Sequence, residues 1–463
     1  MNNKRETILS GPVPSTLIRI TLPSIAGMLG LMIFNVVDTF FVGRLGTLEL
    51  AAISFTFPVV MIINSIVFGI GTGSMTLFSK AVGNHNVEEE RLLATSSLIL
   101  GVSLSVIVAV IGFATIDPVF RLLGAEDELM PYIRTYMRIW FLGSAFMVIP
   151  MLGDSILRGL GDTFTPAFVM LTSAVLNGIL DPLLIFGIGP FPAMGVAGAA
   201  VATIFSRAVT AVVSILIQVF REKLIVIRGL SLKALWGKWK ALFHIGLPNS
   251  AIKAILPIGT AIFTSILARF GHEMVAGFGV AAKIEGVVLA LFNALAVTAT
   301  VFVGQNLGAG NTDRVRTGIL WIRLYAHIVG IVSAIVLFFA GSKLAGVFND
   351  DSLIRSTAAT YLMIVPIGYG LYGCGQIGAS VLNVYHKPFL AGALSLFQIG
   401  VVAVPLAYLL SSFIGVNGVF AAIVTSFVAF GLLSYYVVGR ETQKSLSSKR
   451  SSLRGLATDP VKP

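Results

Sequence analysis

Long apolar runs, broken by clusters of Gly, Pro, Asn and charge, follow one another along almost the whole chain. Six fall near residues 16–41, 50–79, 92–116, 131–156, 164–188 and 193–220. Six more fall near 242–268, 275–305, 315–341, 355–382, 389–412 and 416–438. A helix needs about 20 residues to cross the hydrocarbon core of a bilayer, and every run reaches that length. Stretches such as Leu98 to Ile116 and Ile328 to Ala340 are apolar all round, whereas the strands of a membrane barrel would alternate lumen-facing and lipid-facing residues. The pattern predicts an all-α polytopic membrane protein with 12 transmembrane helices.

Composition agrees: of 463 residues 56% are hydrophobic and 11% charged, against about 25% charged in soluble domains. The formal charge of +11 would suggest a nucleic-acid partner if it formed one patch. Instead the basic residues fall in short loops and near the C-terminal end, where the positive-inside effect accounts for them, and no nucleic acid is expected. With both termini cytoplasmic, 21 Lys and Arg lie inside, five lie within spans, and six lie outside, namely Arg44, Arg121, Arg134, Arg269, Lys343 and Arg355. A multi-pass protein of the cell inner (plasma) membrane follows, in contact with membrane lipids. The organisation is a cytoplasmic segment 1–15, a first lobe 16–220, a basic cytoplasmic linker 221–241 (Arg221, Glu222, Lys223, Arg228, Lys233, Lys238, Lys240), a second lobe 242–438 and a cytoplasmic tail 439–463. The polar first 15 residues lack the apolar core of a removable signal. Cys374 is the one cysteine, so no intrachain disulfide can form.

The two sets of six spans are copies. At an offset of 225 residues Ile20, Leu22, Pro23 and Ala26 return as Ile245, Leu247, Pro248 and Ala251, while Thr39, Arg44, Gly46 and Ala51 return as Thr264, Arg269, Gly271 and Ala276. Gly83, Asn86, Glu88 and Arg91 return as Gly308, Asn311, Asp313 and Arg316, and Tyr136 and Leu157 as Tyr361 and Leu382. A shorter loop then moves the offset to 220, where Gly195, Val196 and Gly198 return as Gly415, Val416 and Gly418. An even number of spans per copy gives both the same orientation, so the lobes should be related by a pseudo-twofold axis along the membrane normal, as in transporters with a cavity between halves.

Charges inside spans are costly and therefore candidates for function. They are Asp38, Arg138, Asp154, Asp181, Arg207, Lys253, Lys283, Glu285 and Arg323. If the first span exits near Phe41 and the fifth near Gly187, Asp38 lies about 5 Å and Asp181 about 10 Å from the outer end. Asn177 shares a helix face with Asp181 at i, i+4, and Thr203 on the sixth span can reach the same level. Two carboxylates, an amide and a hydroxyl make an oxygen-lined site for a proton or a small hard cation, with Asp38, Asn177 and Asp181 as metal ligands only if Na+ binds. In the second copy Asp38, Asn177 and Asp181 become Phe263, Val402 and Leu406, so the fold does without them there. Lys253, Lys283 and Glu285 form a second candidate set for substrate binding or gating, with Glu285 expected to pair with a neighbouring cation. Arg207, mid-span, joins that set, whereas Arg138 and Arg323 read as structural partners or snorkelling side chains. Pro23, Pro58, Pro150, Pro248 and Pro366 allow helix bends. Gly69, Gly71 and Gly73 imitate a phosphate loop but lie within an apolar span, which points to close helix packing. No Walker A sequence, histidine pair at metal-ligand spacing or nucleophile motif occurs, so no enzymatic activity and no cofactor are expected.

Two six-helix halves, Leu22-Pro23, Asp38 late in the first span, the loop from Gly83 to Arg91 and Asn177-x-x-x-Asp181 together resemble the multidrug and toxic compound extrusion (MATE) family over about residues 10–440, and its prokaryotic DinF-like branch in particular. The resemblance implies a secondary active multidrug efflux transporter that exports cationic or amphipathic organic compounds against H+ or Na+ by alternating access. It implies further that Asp38, Asn177, Asp181 and Thr203 line a cation-coupling cavity in the first lobe, and that bending of the first helix at Pro23 is linked to it. The carboxylate-bearing seventh-span site of the NorM-like branch has no counterpart, since this span offers Lys253. A monomer is expected. The alternative is a lipid-linked precursor or polysaccharide flippase of the wider superfamily. A major facilitator carrier is disfavoured, because the loop after the second span reads Lys80-Ala81-Val82-Gly83-Asn84-His85-Asn86-Val87-Glu88 and lacks that family's Gly-Asp-Arg/Lys-rich signature.

Overall fold

A computed structural model describes residues 2–226 and 230–458; Arg228 of the basic linker lies outside the described residues. Helices make up nearly all of it. In chain order they are α1 (Asn2–Ser10), α2 (Val13–Gly43), α3 (Thr47–Gly83), α4 (Val87–Leu122), α5 (Met130–Leu142), α6 (Ser144–Gly159), α7 (Phe164–Phe186), α8 (Val196–Leu216), α9 (Leu232–Leu267), α10 (His272–Gly308), α11 (Thr312–Gly346), α12 (Ser352–Ile364), α13 (Tyr369–Val384), α14 (Pro388–Leu396), α15 (Val404–Ile414) and α16 (Val416–Thr458). Among the described residues eleven helices or continuous helical runs are long and apolar enough to span a membrane, and the pair α5 and α6, bent by 49°, supplies the twelfth.

The expected fourth span at 131–156 is therefore a broken one, with Gly143 at the bend. Several helices outrun their apolar cores. α9 begins inside the stretch expected as linker, and α16 continues to Thr458 through the stretch expected as tail. Polar residues extend a helix into water readily once the apolar part has nucleated it. The repeat is visible in the helix limits, since α3 and α10, and likewise α6 and α13, begin and end 225 residues apart. The match fails at the eleventh span, where π-helical turns at Phe397–Ala403 separate α14 from α15 while α7 runs unbroken.

By internal contacts the chain forms two compact units: the residues through Arg5 with Arg19–Ala251, and Glu6–Ile18 with Ile252 onward. The division passes through α2 and α9 rather than through loops. In the first unit α6 packs against α3, α4 and α8. Glycines permit these approaches: a Cβ on Gly71 would lie 2.7 Å from the Ser155 hydroxyl, and one on Gly69 would run into Ser250 and the Gly246 carbonyl. Close helix packing is thus what the Gly69-x-Gly71-x-Gly73 pattern does. In the second unit α13 packs against α10, α11 and α16, and Arg314 donates to the Ile8 carbonyl at 3.0 Å.

Outward faces carry the large apolar side chains. Val102, Val106 and Val110 on α4, and Ile328, Val332, Ile335 and Phe339 on α11, are exposed at helical spacing, which suits a lipid solvent. The inner face of α4 carries the small or polar Ser97, Gly101, Ser105 and Gly112, all buried. Small residues let helices close in where no hydrophobic force drives them together. At its N-terminus Asn86 caps the helix through a 3.0 Å bond from the Glu89 amide, with Glu88, Glu89 and Glu90 in the first turn complementing the helix dipole.

Asp162, in the turn between α6 and α7, ties one end of the first unit together. Its carboxylate accepts from Lys4 Nζ at 2.6 Å, Arg221 Nη2 at 2.6 Å and Thr165 Oγ1 at 2.7 Å. Burial presses against the charge, but the hydrogen bonds from Lys4 and Thr165 outweigh it and hold the Asp162 carboxyl below the usual carboxylate range. Both cations are nearly half exposed, so screening keeps the contribution to about 1 kcal/mol. Asp162→Asn should lower the thermal midpoint of the detergent-solubilised protein by a few degrees. A depressed pKa stabilises the folded state above the unfolded pKa, so the difference from wild type should be constant from pH 5 to 8 and fade in acid, near and below about pH 4.

Candidate functional site

Asp38 on α2 and Asp181 on α7 each lie five residues before the last residue of their helix, about 7.5 Å along the axis. The glycine-rich start of α8 brings the sixth span to them. Gly195 takes a positive φ of 55°, and a Cβ on Gly198 would lie 2.6 Å from the Leu184 carbonyl carbon, so only glycine lets α8 turn back this closely along α7. Five residues after Gly198, Thr203 donates from Oγ1 to Asp38 Oδ1 at 3.4 Å. On α7, one turn apart, Asn177 Nδ2 donates to Asp181 Oδ1 at 3.1 Å. Asp38 is half-buried; Asn177, Asp181 and Thr203 are buried.

The four residues expected from the sequence are thus joined in two pairs, and the two carboxylates lie within electrostatic reach of each other. Among the described residues, Asn177 Oδ1 and Asp181 Oδ2 are buried without a hydrogen-bond partner. This set is rich in acceptors and short of donors, which is the composition a proton or a small cation completes. A residue the sequence reading left out also belongs here: Tyr136 on α5 is buried within reach of both Asp38 and Asp181. Its signal was available in the repeat that pairs it with Tyr361. Pro23 stands on the same helix as Asp38, and α2 runs through it without interruption.

The second candidate set is not one site. Glu285 is buried on α10 and its partners are phenols: Tyr361 donates to Oε2 at 2.8 Å and Tyr369 to Oε1 at 3.1 Å. Lys253 and Lys283 are exposed, and among the described residues no ion pair joins either to Glu285, which corrects the expected cation partner. Lys283 stands two residues before Glu285 on α10, a spacing that puts the two on different faces of the helix. A cavity of about 70 Å³ adjoins the carboxylate, lined also by Phe263, Phe278, Tyr361, Tyr372 and Gln398; organic ligands fill pockets of roughly 300–1,000 Å³. Arg323 is buried, 4.0 Å from the Tyr435 ring centre, and donates to the Ser434 carbonyl at 3.4 Å, a structural role. Arg207 lies in the first unit, its guanidinium 4.7 Å from the centre of the Phe34 ring and one turn beyond Thr203.

Comparison with known proteins places this arrangement. The MatE family model matches residues 23–183 and 248–409, one segment in each half. The FAD transporter of Shewanella oneidensis is 35% identical over 436 residues, 94% of this chain and 96% of that one. The multidrug export protein MepA of Staphylococcus aureus is 24% identical over 411 residues, 88% of this chain and 89% of its own length. The outward-facing structure of a multidrug resistance MATE transporter of the MOP superfamily superposes with a TM-score of 0.90 at 25% identity, covering 96% of this chain and all of that one. The family consists of ion-coupled membrane transporters rather than enzymes. With both halves matched and the fold shared from end to end, the chain belongs to the MATE family of transporters.

Proposed function

We propose that the protein is a secondary active exporter that expels organic compounds by antiport against H+ or Na+ through alternating access, with Asp38, Asn177, Asp181 and Thr203 as the coupling site. One observation carries this reading: two carboxylates lie within reach of each other inside a membrane lobe, hydrogen-bonded among the described residues by one hydroxyl and one amide donor. In a low-dielectric interior they cannot both remain charged without a proton or a cation. Binding of that ion then favours one conformation of the lobe and the cargo favours the other, and exchange follows from the difference in affinity for the two states. Pro23, which leaves a carbonyl of α2 without its helical partner, is the position at which that helix would bend.

For the cargo, the name of MepA, a multidrug export protein, supports drug-like organic compounds, and the family resemblance implies cationic or amphipathic ones. The name of the Shewanella relative supports a flavin dinucleotide, and the half-buried Arg158 on α6 and Arg207 on α8 favour that second cargo, because a guanidinium repels a cationic drug and attracts a phosphate. The inner membrane, with both termini cytoplasmic, completes the reading and rests on the 21 to 6 division of basic residues.

In proteoliposomes with proton and sodium gradients imposed separately, one gradient should drive efflux. Asp38→Asn and Asp181→Asn should each abolish the gradient-driven part while leaving expression and the thermal midpoint near wild type, since Asn keeps the size and loses the charge. Driven efflux at the wild-type rate in Asp38→Asn would rule the coupling site out. Single cysteines at positions 127 and 350 should react with an impermeant maleimide added outside intact cells, and one at position 230 should not; labelling of 230 would reverse the topology.

A further inference from the structure

Asp154 and Arg158 stand one turn apart on α6, and Arg207 on α8 lies within electrostatic reach of Asp154. The coupling site uses none of the three. Asp154 is buried and both arginines are half-buried, Arg207 beside Phe34 of α2 and Arg158 beside Met170 of α7. Their charges are not closed against one another: among the described residues no ion pair within 4.0 Å joins either guanidinium to a carboxylate. Arg207 lies against the Phe34 ring, and Arg158 donates only to the Met170 sulfur, at 3.5 Å. Asp154 Oδ1 and the Nε atoms of both arginines are buried without a partner.

A guanidinium carries five donors, and leaving them unmet inside a membrane protein is costly. The fold does not require them. At the repeat offsets Asp154, Arg158 and Arg207 become Ala379, Asn383 and Phe427, and the second unit folds around those. What would meet two under-bonded guanidiniums is a compact group with several anionic oxygens, which accepts two parallel bonds from each fork. Phe34 adds an aromatic face beside Arg207.

We propose that Arg158 and Arg207 form an anion subsite that takes the phosphate groups of an aromatic, phosphate-bearing cargo, with Asp154 and Asp38 as the acids that keep the cluster's net charge low when it is empty. The subsite rests on the export reading above and names the cargo class for it. FAD and riboflavin share one ring system and differ in the phosphates, which makes them the probes. With the full-length protein in detergent, followed by flavin fluorescence anisotropy, FAD should bind at least ten-fold more tightly than riboflavin, and inorganic pyrophosphate should displace it. Arg158→Gln and Arg207→Gln should each weaken FAD at least ten-fold and leave riboflavin unchanged, with Arg207→Lys retaining part of the loss. Equal binding of FAD and riboflavin to wild type, or a parallel loss of both in the glutamine variants, would overturn the subsite. If those variants fail to fold, failure of pyrophosphate to displace FAD from wild type overturns it alone. Binding needs no gradient, so phosphate-selective binding without driven efflux would count against the export reading only, and driven efflux with phosphate-indifferent binding against the subsite only.

Discussion

A charge carried into the interior of a membrane must find its partner there, because neither water nor salt can screen it and no lipid tail accepts a hydrogen bond. Most of what distinguishes the two halves of this chain follows from how each meets that demand. In the second unit Glu285 is enclosed by two tyrosine donors at 2.8 and 3.1 Å and Arg323 by an aromatic ring and a carbonyl. The Glu285 charge is provided for by the protein itself, whereas Arg323 keeps a buried Nε without a partner among the described residues. In the first unit Asp38 and Asp181 receive one long or single hydrogen bond each, and Arg158 and Arg207 receive less. Provision there is incomplete, and incomplete provision inside a membrane is what a passing ion or molecule can complete.

The backbone had to solve the same problem earlier. Most peptide groups are satisfied within their own helix, which leaves association to packing and to the few polar side chains that reach across. Hence the small residues on inner faces: Gly101 beneath Leu152, Gly112 beneath Phe141, Gly378 against Ser434. Replacing any of these by a larger side chain would force apart helices that also carry the charges, so packing and chemistry share one set of positions. Gly198 shows the link most directly, since its close approach to Leu184 places Thr203 beside Asp38.

Length and apolar character made the spans legible in the sequence, because a bilayer imposes one thickness on every crossing. The repeat was legible because identical backbone turns need identical residues, as the pair Gly195 and Gly415 at φ 55° and 61° illustrates. Helix ends were read less well. Hydropathy reports where the bilayer stops, not where the hydrogen-bond ladder stops, and so α9 and α16 run on past their apolar cores. The bend at Gly143 was invisible for a related reason, since a broken helix and a straight one have the same composition. Asp38, Asn177, Asp181 and Thr203 could be grouped by depth and face alone, whereas the partners of Glu285 could not, because Tyr361 and Tyr369 come from another span whose rotation no one-dimensional pattern specifies.

Tyr136 and Tyr361 bring these strands together. They occupy the same position in the two copies, and each is buried in its own unit beside a carboxylate. Yet the acids come from different places: α2 and α7 supply Asp38 and Asp181 in one unit, and α10 supplies Glu285 in the other. A phenol at a fixed point in the fold is a donor that tolerates an acid arriving from more than one neighbouring helix. Divergence after duplication could therefore move the carboxylate without first rebuilding its surroundings. Where the phenol bonds the acid directly, the charge is held; where the acid is left with a threonine at 3.4 Å, its oxygens are left short of donors, which is what the proposed coupling role requires. The same scaffold supports both outcomes, and the difference between them is a matter of which oxygen atoms remain unpaired.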